Sequence, residues 1–164
     1  MISIWLIFSD KDQQSLRERI NDLSQLYSGP KFLPHITLYG SLEIEIKRLV
    51  VITDRCFSKT KKFTVHAAGI GQTDNIWKTI FINITTDSQL MELYEFLTTE
   101  LGQFQNYSFN PHISLIYRKM PVEKRILIAQ EINFAPHYEI TGAALVETSV
   151  DVDNWRILKR CNFR

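Results

Sequence analysis

Hydrophobic and polar positions along the chain alternate between two periods, and the alternation is written twice. Residues 2–8 (I-S-I-W-L-I-F) are a short apolar, β-prone run that ends at Ser9-Asp10-Lys11-Asp12, which reads as an opening strand. Leu16, Ile20, Leu23 and Leu26 then recur at helical spacing, with Asp10 placed to cap the free N–H groups of the helix. Offset by 77 residues, residues 79–85 (T-I-F-I-N-I-T) form a second β-prone run, and Asp87 stands where Asp10 stood. Leu90, Leu93, Tyr94, Leu97 and Leu101 repeat the helical spacing after it.

The same offset places Pro34 on Pro111, His35 on His112, Ile36 on Ile113, Thr37 on Ser114 and Leu38 on Leu115. A helix is expected over 44–57 in the first copy and over 122–132 in the second, the latter behind Pro121 as a first-turn residue. Strands are expected over 62–71, 138–148 and 155–161. The expected fold is α+β: a bilobal, pseudo-twofold duplication of a β-α-β-α-β unit, with mostly antiparallel sheets around a central cleft and helices outside. A single domain over 1–164 is expected, its repeats spanning 1–76 and 77–164.

Residues two apart on a strand share a face, so His35 joins Thr37 and His112 joins Ser114, opposite the apolar Ile36, Leu38, Ile113 and Leu115. Packed about a pseudo-twofold axis, the two polar faces meet in one cleft holding two imidazoles and two hydroxyls. Histidine titrates near neutrality, so one ring can act as base while the other is protonated as acid. The hydroxyls can hydrogen-bond the non-bridging oxygens of a phosphodiester, where transition-state charge accumulates. Such chemistry requires neither a carboxylate nor a metal. One His-x-Thr alone reads better as structure; two at matched positions in a repeat reverse that judgement.

Composition narrows the substrate. The 164 residues carry 19 Lys and Arg against 18 Asp and Glu, a net charge of +1, with no stripe suited to a long nucleic acid. A small phosphorylated ligand needs only one local positive site. No run is long enough to be a membrane-spanning helix, and two cysteines, Cys56 and Cys161, make no disulfide framework. A cytoplasmic monomer without a cofactor is expected, and a disulfide between the two cysteines stays open.

At these residues the sequence resembles the two-histidine (2H) phosphoesterase superfamily, its paired motifs reading His35-Ile36-Thr37-Leu38 and His112-Ile113-Ser114-Leu115. G-P-K-F-L-P-H-I-T-L, the opening S-I-W-L-I, P-H-I-S-L-I-Y and the ending E-T-S-V-D-V-D-N-W-R-I-L-K-R-C-N resemble its plant and yeast cyclic phosphodiesterase branch. The resemblance implies metal-independent hydrolysis of ADP-ribose 1'',2''-cyclic phosphate to ADP-ribose 1''-phosphate, a step in disposing of tRNA splicing by-products. It also implies opening of nucleoside 2',3'-cyclic phosphates to 2'-phosphates. His35 and His112 would be the acid–base pair, and Thr37 and Ser114 the phosphate ligands. Plant members carry further cysteines in disulfides; with only two here, redox control through disulfides is not expected. RNA 2',3'-cyclic ends, 2',5'-oligonucleotides and a non-catalytic nucleotide-binding module are the competing readings.

Secondary candidates are Tyr117, Trp77 and Tyr39. Tyr117 matches a tyrosine of the family's second motif region, although its odd offset from His112 puts it on the other face unless the strand ends there. Trp77, at an expected strand start, could stack on a base. Tyr39 adjoins the first motif. His66 and His137 lack histidine counterparts and read as surface or structural residues, Trp155 as core, and Lys59, Lys61 and Lys62 as a solvated loop. No short-spaced ligand pair suggests zinc. Residues 69–75 are a candidate lid over the ligand.

Overall fold

The computed structural model describes residues 1–164. Strand β1 (Ile2–Phe8) leads into helix α1 (Asp10–Tyr27), β2 (Ile36–Leu42), α2 (Ile46–Phe57) and β3 (Phe63–Gln72). The second copy runs β4 (Ile80–Ile84), α3 (Ser88–Leu101), β5 (His112–Ile116), α4 (Val122–Glu131) and β6 (His137–Glu147), closed by β7 (Arg156–Asn162). Short 3₁₀ turns at Ile76–Lys78 and Val152–Asn154 precede β4 and β7. The element order is the one the sequence pattern predicts. No helix is long and apolar enough to cross a membrane.

All strand pairs are antiparallel, in the order β2-β1-β6-β3-β4-β5, with β7 also paired to β6. The two copies exchange their third strands. β6 of the second copy pairs with β1 of the first, and β3 of the first pairs with β4 of the second. Ile4 lies opposite Leu145 and Trp5 opposite Ala144; their counterparts Phe81 and Ile82 lie opposite Gly71 and Ile70. A short ladder from Phe63↔Ile140 to His66↔His137 joins β3 to β6 at the centre. The pseudo-twofold carries Phe63 onto His137, an offset of 137 minus 63, or 74, so the copies lose the 77-residue register by three residues before their third strands.

Burial explains the strand sequences. β1 is covered on both faces, so it reads as a continuous apolar run. Ile4, Leu6 and Phe8 enter a core of 35 buried residues drawn from both copies, while Trp5 and Ile7 join Ala144 and Val146 in a small second cluster on the other face. β3 and β6 alternate where they meet: Phe63, Val65, Tyr138 and Ile140 are buried, and Thr64, His66, His137 and Glu139 are exposed.

Several local expectations are corrected. Leu26 is exposed, because α1 buries Leu16, Ile20, Leu23 and Ser24 and packs Tyr27 on the core, which turns Leu26 to the solvent side of the helix. Asp10 is the first helical residue; the cap is Ser9, whose hydroxyl accepts from the Asp12 N–H. Asp87 does cap α3, its carboxylate accepting from the Leu90 N–H at 2.9 Å. Pro121 is the residue before α4, at the cap position. Within 69–75, Gly69 to Gln72 belong to β3, so the ladder to β4 claims most of the expected lid.

The unequal caps yield a prediction. Asp87→Ala should lower unfolding free energy by about 1 kcal/mol, whereas Asp10→Ala should change it by less than about 0.5 kcal/mol. Urea denaturation of the two variants measures both values, and equal losses would show that the caps are equivalent.

Candidate active site

Each catalytic candidate sits where a Leu-Pro-His or Asn-Pro-His tripeptide enters a strand. Proline holds the residue before it extended and offers no N–H of its own. The carbonyl two residues before each histidine is then free to meet its ring. His35 Nδ1 lies 2.6 Å from the Leu33 carbonyl oxygen, and His112 Nδ1 lies 2.7 Å from that of Asn110. A carbonyl only accepts, so Nδ1–H is the donor in both rings and Nε2 carries the lone pair when the ring is neutral. Gln13 Oε1 is the only buried side-chain polar atom sealed off without a partner; both Nε2 atoms therefore reach solvent. The internal repeat has reproduced the orienting hydrogen bond along with the histidine.

Both imidazoles line one cleft of about 430 Å³, together with Thr37, Ser114, Trp77 and Tyr117. Cross-strand pairing sets this geometry: Thr37 lies opposite Trp5, and Ser114 opposite Phe81. The Trp5 ring stacks on His35 with centroids 3.6 Å apart and planes 7° from parallel. Phe81 meets His112 edge-on at 5.4 Å. No carboxylate lines the cleft, and its one lysine or arginine is Lys78. The Lys78 ammonium donates to Asn110 Oδ1 at 2.8 Å and lies 4.3 Å above the Phe81 ring. A cleft with two imidazoles, one lysine and no acid suits a small anion.

Burial holds both imidazoles in the neutral form. Loss of hydration lowers the His35 and His112 pKa values to about 4, against the raising effect of the Nδ1 hydrogen bonds. Charge repulsion adds to this, from His112 upon His35 and from Lys78 upon His112. A negative charge beside either ring would favour its protonated form.

The two hydroxyls are unequal. Thr37 has no hydrogen-bond partner for its hydroxyl within the protein, whereas Ser114 donates to the Trp77 carbonyl at 3.0 Å and so fastens the 76–78 turn. Trp77 belongs to that 3₁₀ turn and not to the strand start expected for it; it is partly exposed in the cleft wall. Tyr117 follows the last residue of β5, escapes the strand alternation, and reaches the cleft with its ring stacked on Phe32 at 3.8 Å. Burial pushes its phenol pKa up, so it stays a neutral donor.

Tyr39 does not belong to the site. It is fully buried in the main core, and its hydroxyl donates to the Gln105 carbonyl at 2.6 Å. The bulge between Thr37 and Tyr39 breaks the alternation of β2, so Tyr39 lies opposite Ile4 on the core face and does not follow Thr37 to the cleft. Trp155, expected in the core, is half-buried in the cleft wall, where it meets Trp5 edge-on at 5.3 Å. Sequence reasoning missed Trp5 and Lys78. The register of β1 against Thr37 identifies Trp5, but that register needs the pairing. Lys78 carried no motif signal at all. Cys56 and Cys161 are free, and burial raises the Cys56 thiol to about 12.

These shifts fix a pH dependence. Between pH 6.5 and 4 the unfolded chain binds more protons at these histidines than the folded one, so stability rises with pH across that window and falls on acidification. NMR titration of the ligand-free protein should place both imidazoles near 4, and Lys78→Met should raise His112. Titration of either ring near 6.5 would contradict the burial described.

Comparison with known proteins follows the same lines. A family model described as cyclic phosphodiesterase-like protein matches residues 1–163. A cyclic phosphodiesterase of Arabidopsis thaliana is 19% identical over 170 residues, spanning 98% of this chain and 93% of that protein. Among solved structures, TT0787 of Thermus thermophilus superimposes with a TM-score of 0.70 at 19% identity, covering 99% of this chain and 97% of its own. Escherichia coli LigT complexed with 3'-AMP gives 0.66 at 18% identity, with coverage of 99% and 97%. These structural likenesses are likenesses of fold.

Proposed function

The chain belongs to the cyclic phosphodiesterase-like protein family and is a phosphodiesterase, and we propose that it hydrolyses small cyclic phosphates by acid–base catalysis between His35 and His112. The substrates are ADP-ribose 1'',2''-cyclic phosphate, opened to ADP-ribose 1''-phosphate, and nucleoside 2',3'-cyclic phosphates, opened to 2'-phosphates. The observation that carries this reading is the matched pair of imidazoles, each held through Nδ1 by a backbone carbonyl and both lining one cleft.

In the reaction, one neutral imidazole takes a proton from water through Nε2 as the water oxygen bonds to phosphorus. The other, protonated by virtue of the bound anion, gives its Nε2 proton to the ring oxygen that leaves. For a nucleoside 2',3'-cyclic phosphate this is the 3' oxygen, and the phosphate stays on the 2' position. One bond to phosphorus forms and one breaks, and the two histidines end with their protonation exchanged. The Thr37 hydroxyl is free to donate to a non-bridging oxygen as charge accumulates there. Ser114 can do so only by releasing the Trp77 carbonyl. Lys78 adds the fixed positive charge that a phosphodiester monoanion requires.

The size and charge of the cleft favour a small substrate over an oligonucleotide. About 430 Å³ suits a single nucleotide-sized ligand. One lysine cannot track the extended backbone of an oligonucleotide in the way that nucleic-acid grooves do. The aromatic wall of Trp5, Trp77, Trp155 and Tyr117 offers faces for a base.

Purified protein with each cyclic substrate, followed by phosphorus NMR of the products, tests the proposal. His35→Ala and His112→Ala should each lower kcat by roughly 10²- to 10⁴-fold. Thr37→Ala should lower kcat/KM more than Ser114→Ala does, since only Thr37 has an uncommitted hydroxyl. The alkaline limb and the optimum of kcat should lie at higher pH than those of kcat/KM, because the bound anion raises the pKa of the acid histidine. Absence of turnover for every cyclic phosphate, or turnover indifferent to both histidine changes, defeats the reading.

A further inference from the structure

Two histidines that take no part in the cleft are brought together by the fold. His66 on β3 and His137 on β6 lie 71 residues apart in sequence, by 137 minus 66, yet are direct cross-strand partners. Directly opposite residues of an antiparallel pair share a face, and here it is the solvent face: His66, Thr64, His137 and Glu139 are all exposed, while Val65 and Tyr138 beneath them are buried.

The hydrogen-bond pattern tells which kind of partners they are. The Ala67 N–H donates to the Pro136 carbonyl at 2.9 Å, so the pair one step further along is the hydrogen-bonded one. His66 and His137 are consequently a non-hydrogen-bonded pair, the class in which Cα atoms approach to about 4.5 Å and side chains stand closest. The two ring centroids are 6.4 Å apart. Two imidazoles on one tetrahedral ion, with metal–nitrogen bonds of about 2.0–2.1 Å, bring their centroids to roughly 5 Å. Rotation of two exposed side chains supplies the difference of about 1 Å without moving the backbone. The backbone itself is held, since the His66 carbonyl accepts from the Thr85 N–H at 2.8 Å in the segment that follows β4.

We propose that His66 and His137 form a two-imidazole clamp for a divalent transition-metal ion of the nickel, copper or zinc type, on the open face of the β3–β6 ladder. Imidazole is the ligand these ions prefer over magnesium or calcium. No third histidine, cysteine or carboxylate completes a cluster, so water fills the remaining positions and the site exchanges its ion freely. The clamp bridges the ladder that joins the two copies, and an ion bound there stabilises that junction. It is independent of the phosphodiesterase reaction, which uses the other two histidines.

Titration calorimetry with NiCl2 and ZnCl2, with MgCl2 as control, tests the clamp in the full chain. One equivalent of nickel or zinc should bind, and magnesium should not. His66→Ala and His137→Ala should each weaken binding at least about tenfold, because each removes half of the chelate. The double variant His35→Ala/His112→Ala should bind as the wild type does, which separates the clamp from the cleft. At metal concentrations near 100 times Kd, Tm should rise by about 5–10 °C in the wild type and not in the single variants. Since both histidines are exposed, circular dichroism should show the variants folded. The clamp is overturned if binding disappears in the cleft variant, if either outer variant binds within twofold of wild type, or if no ion binds at about 1 mM.

Discussion

The four-residue ladder between β3 and β6 is the junction on which the architecture turns. Each copy of the repeat lends its third strand to the other, so β1–β2 and β4–β5 are each extended by a strand of the opposite copy, and the two loans meet where Phe63 faces Ile140 and His66 faces His137. A slip of β3 by one residue in this ladder would send Phe63 and Val65 to solvent and carry the exposed Thr64 and His66 into the core. Alternation of apolar and polar residues on both strands therefore fixes the register. From that register follow the positions of β1 against β6 and of β4 against β3, and with them the faces that β2 and β5 present to the cleft.

Within this frame the site is duplicated in its histidines and unequal in its surroundings. The carbonyl that orients each imidazole comes from the residue two places earlier in both copies, so repetition of the tripeptide repeats the geometry. What lies against each ring is not repeated. His35 has the flat face of Trp5, while His112 has the edge of Phe81 and the charge of Lys78. Phe81 can occupy its place because its cross-strand partner is Gly71, where a β-carbon would overlap the ring. In the proposed reaction, two like histidines in unlike settings serve as the acid and the base on one phosphorus atom.

Burial of these rings carries a cost that the fold accepts. Both are held well below the ordinary histidine range, which lowers stability in mild acid, and neither is balanced by a carboxylate in the cleft. The missing negative charge is the one a phosphodiester brings. Lys78 acts in the same sense, its charge repelling a proton from His112; in the proposed reaction it also attracts the anion.

Much of this was legible in the chain. The 77-residue offset, the paired His-x-Thr and His-x-Ser, and the helical and strand periods all follow from local residue order, because the side-chain period of a strand or helix is fixed by its own backbone. The exclusion of Tyr39 and Leu26 from their expected roles, the entry of Trp5, Trp155 and Lys78 into the cleft, and the meeting of His66 with His137 were not. Each depends on which strand lies beside which, and that pairing joins residues tens of positions apart with no signature in either segment alone. The exchange of third strands shows the reason most plainly: a β-α-β-α-β unit written twice is compatible with each copy closing on itself or on its partner, and only the packing of both against one shared core selects between them.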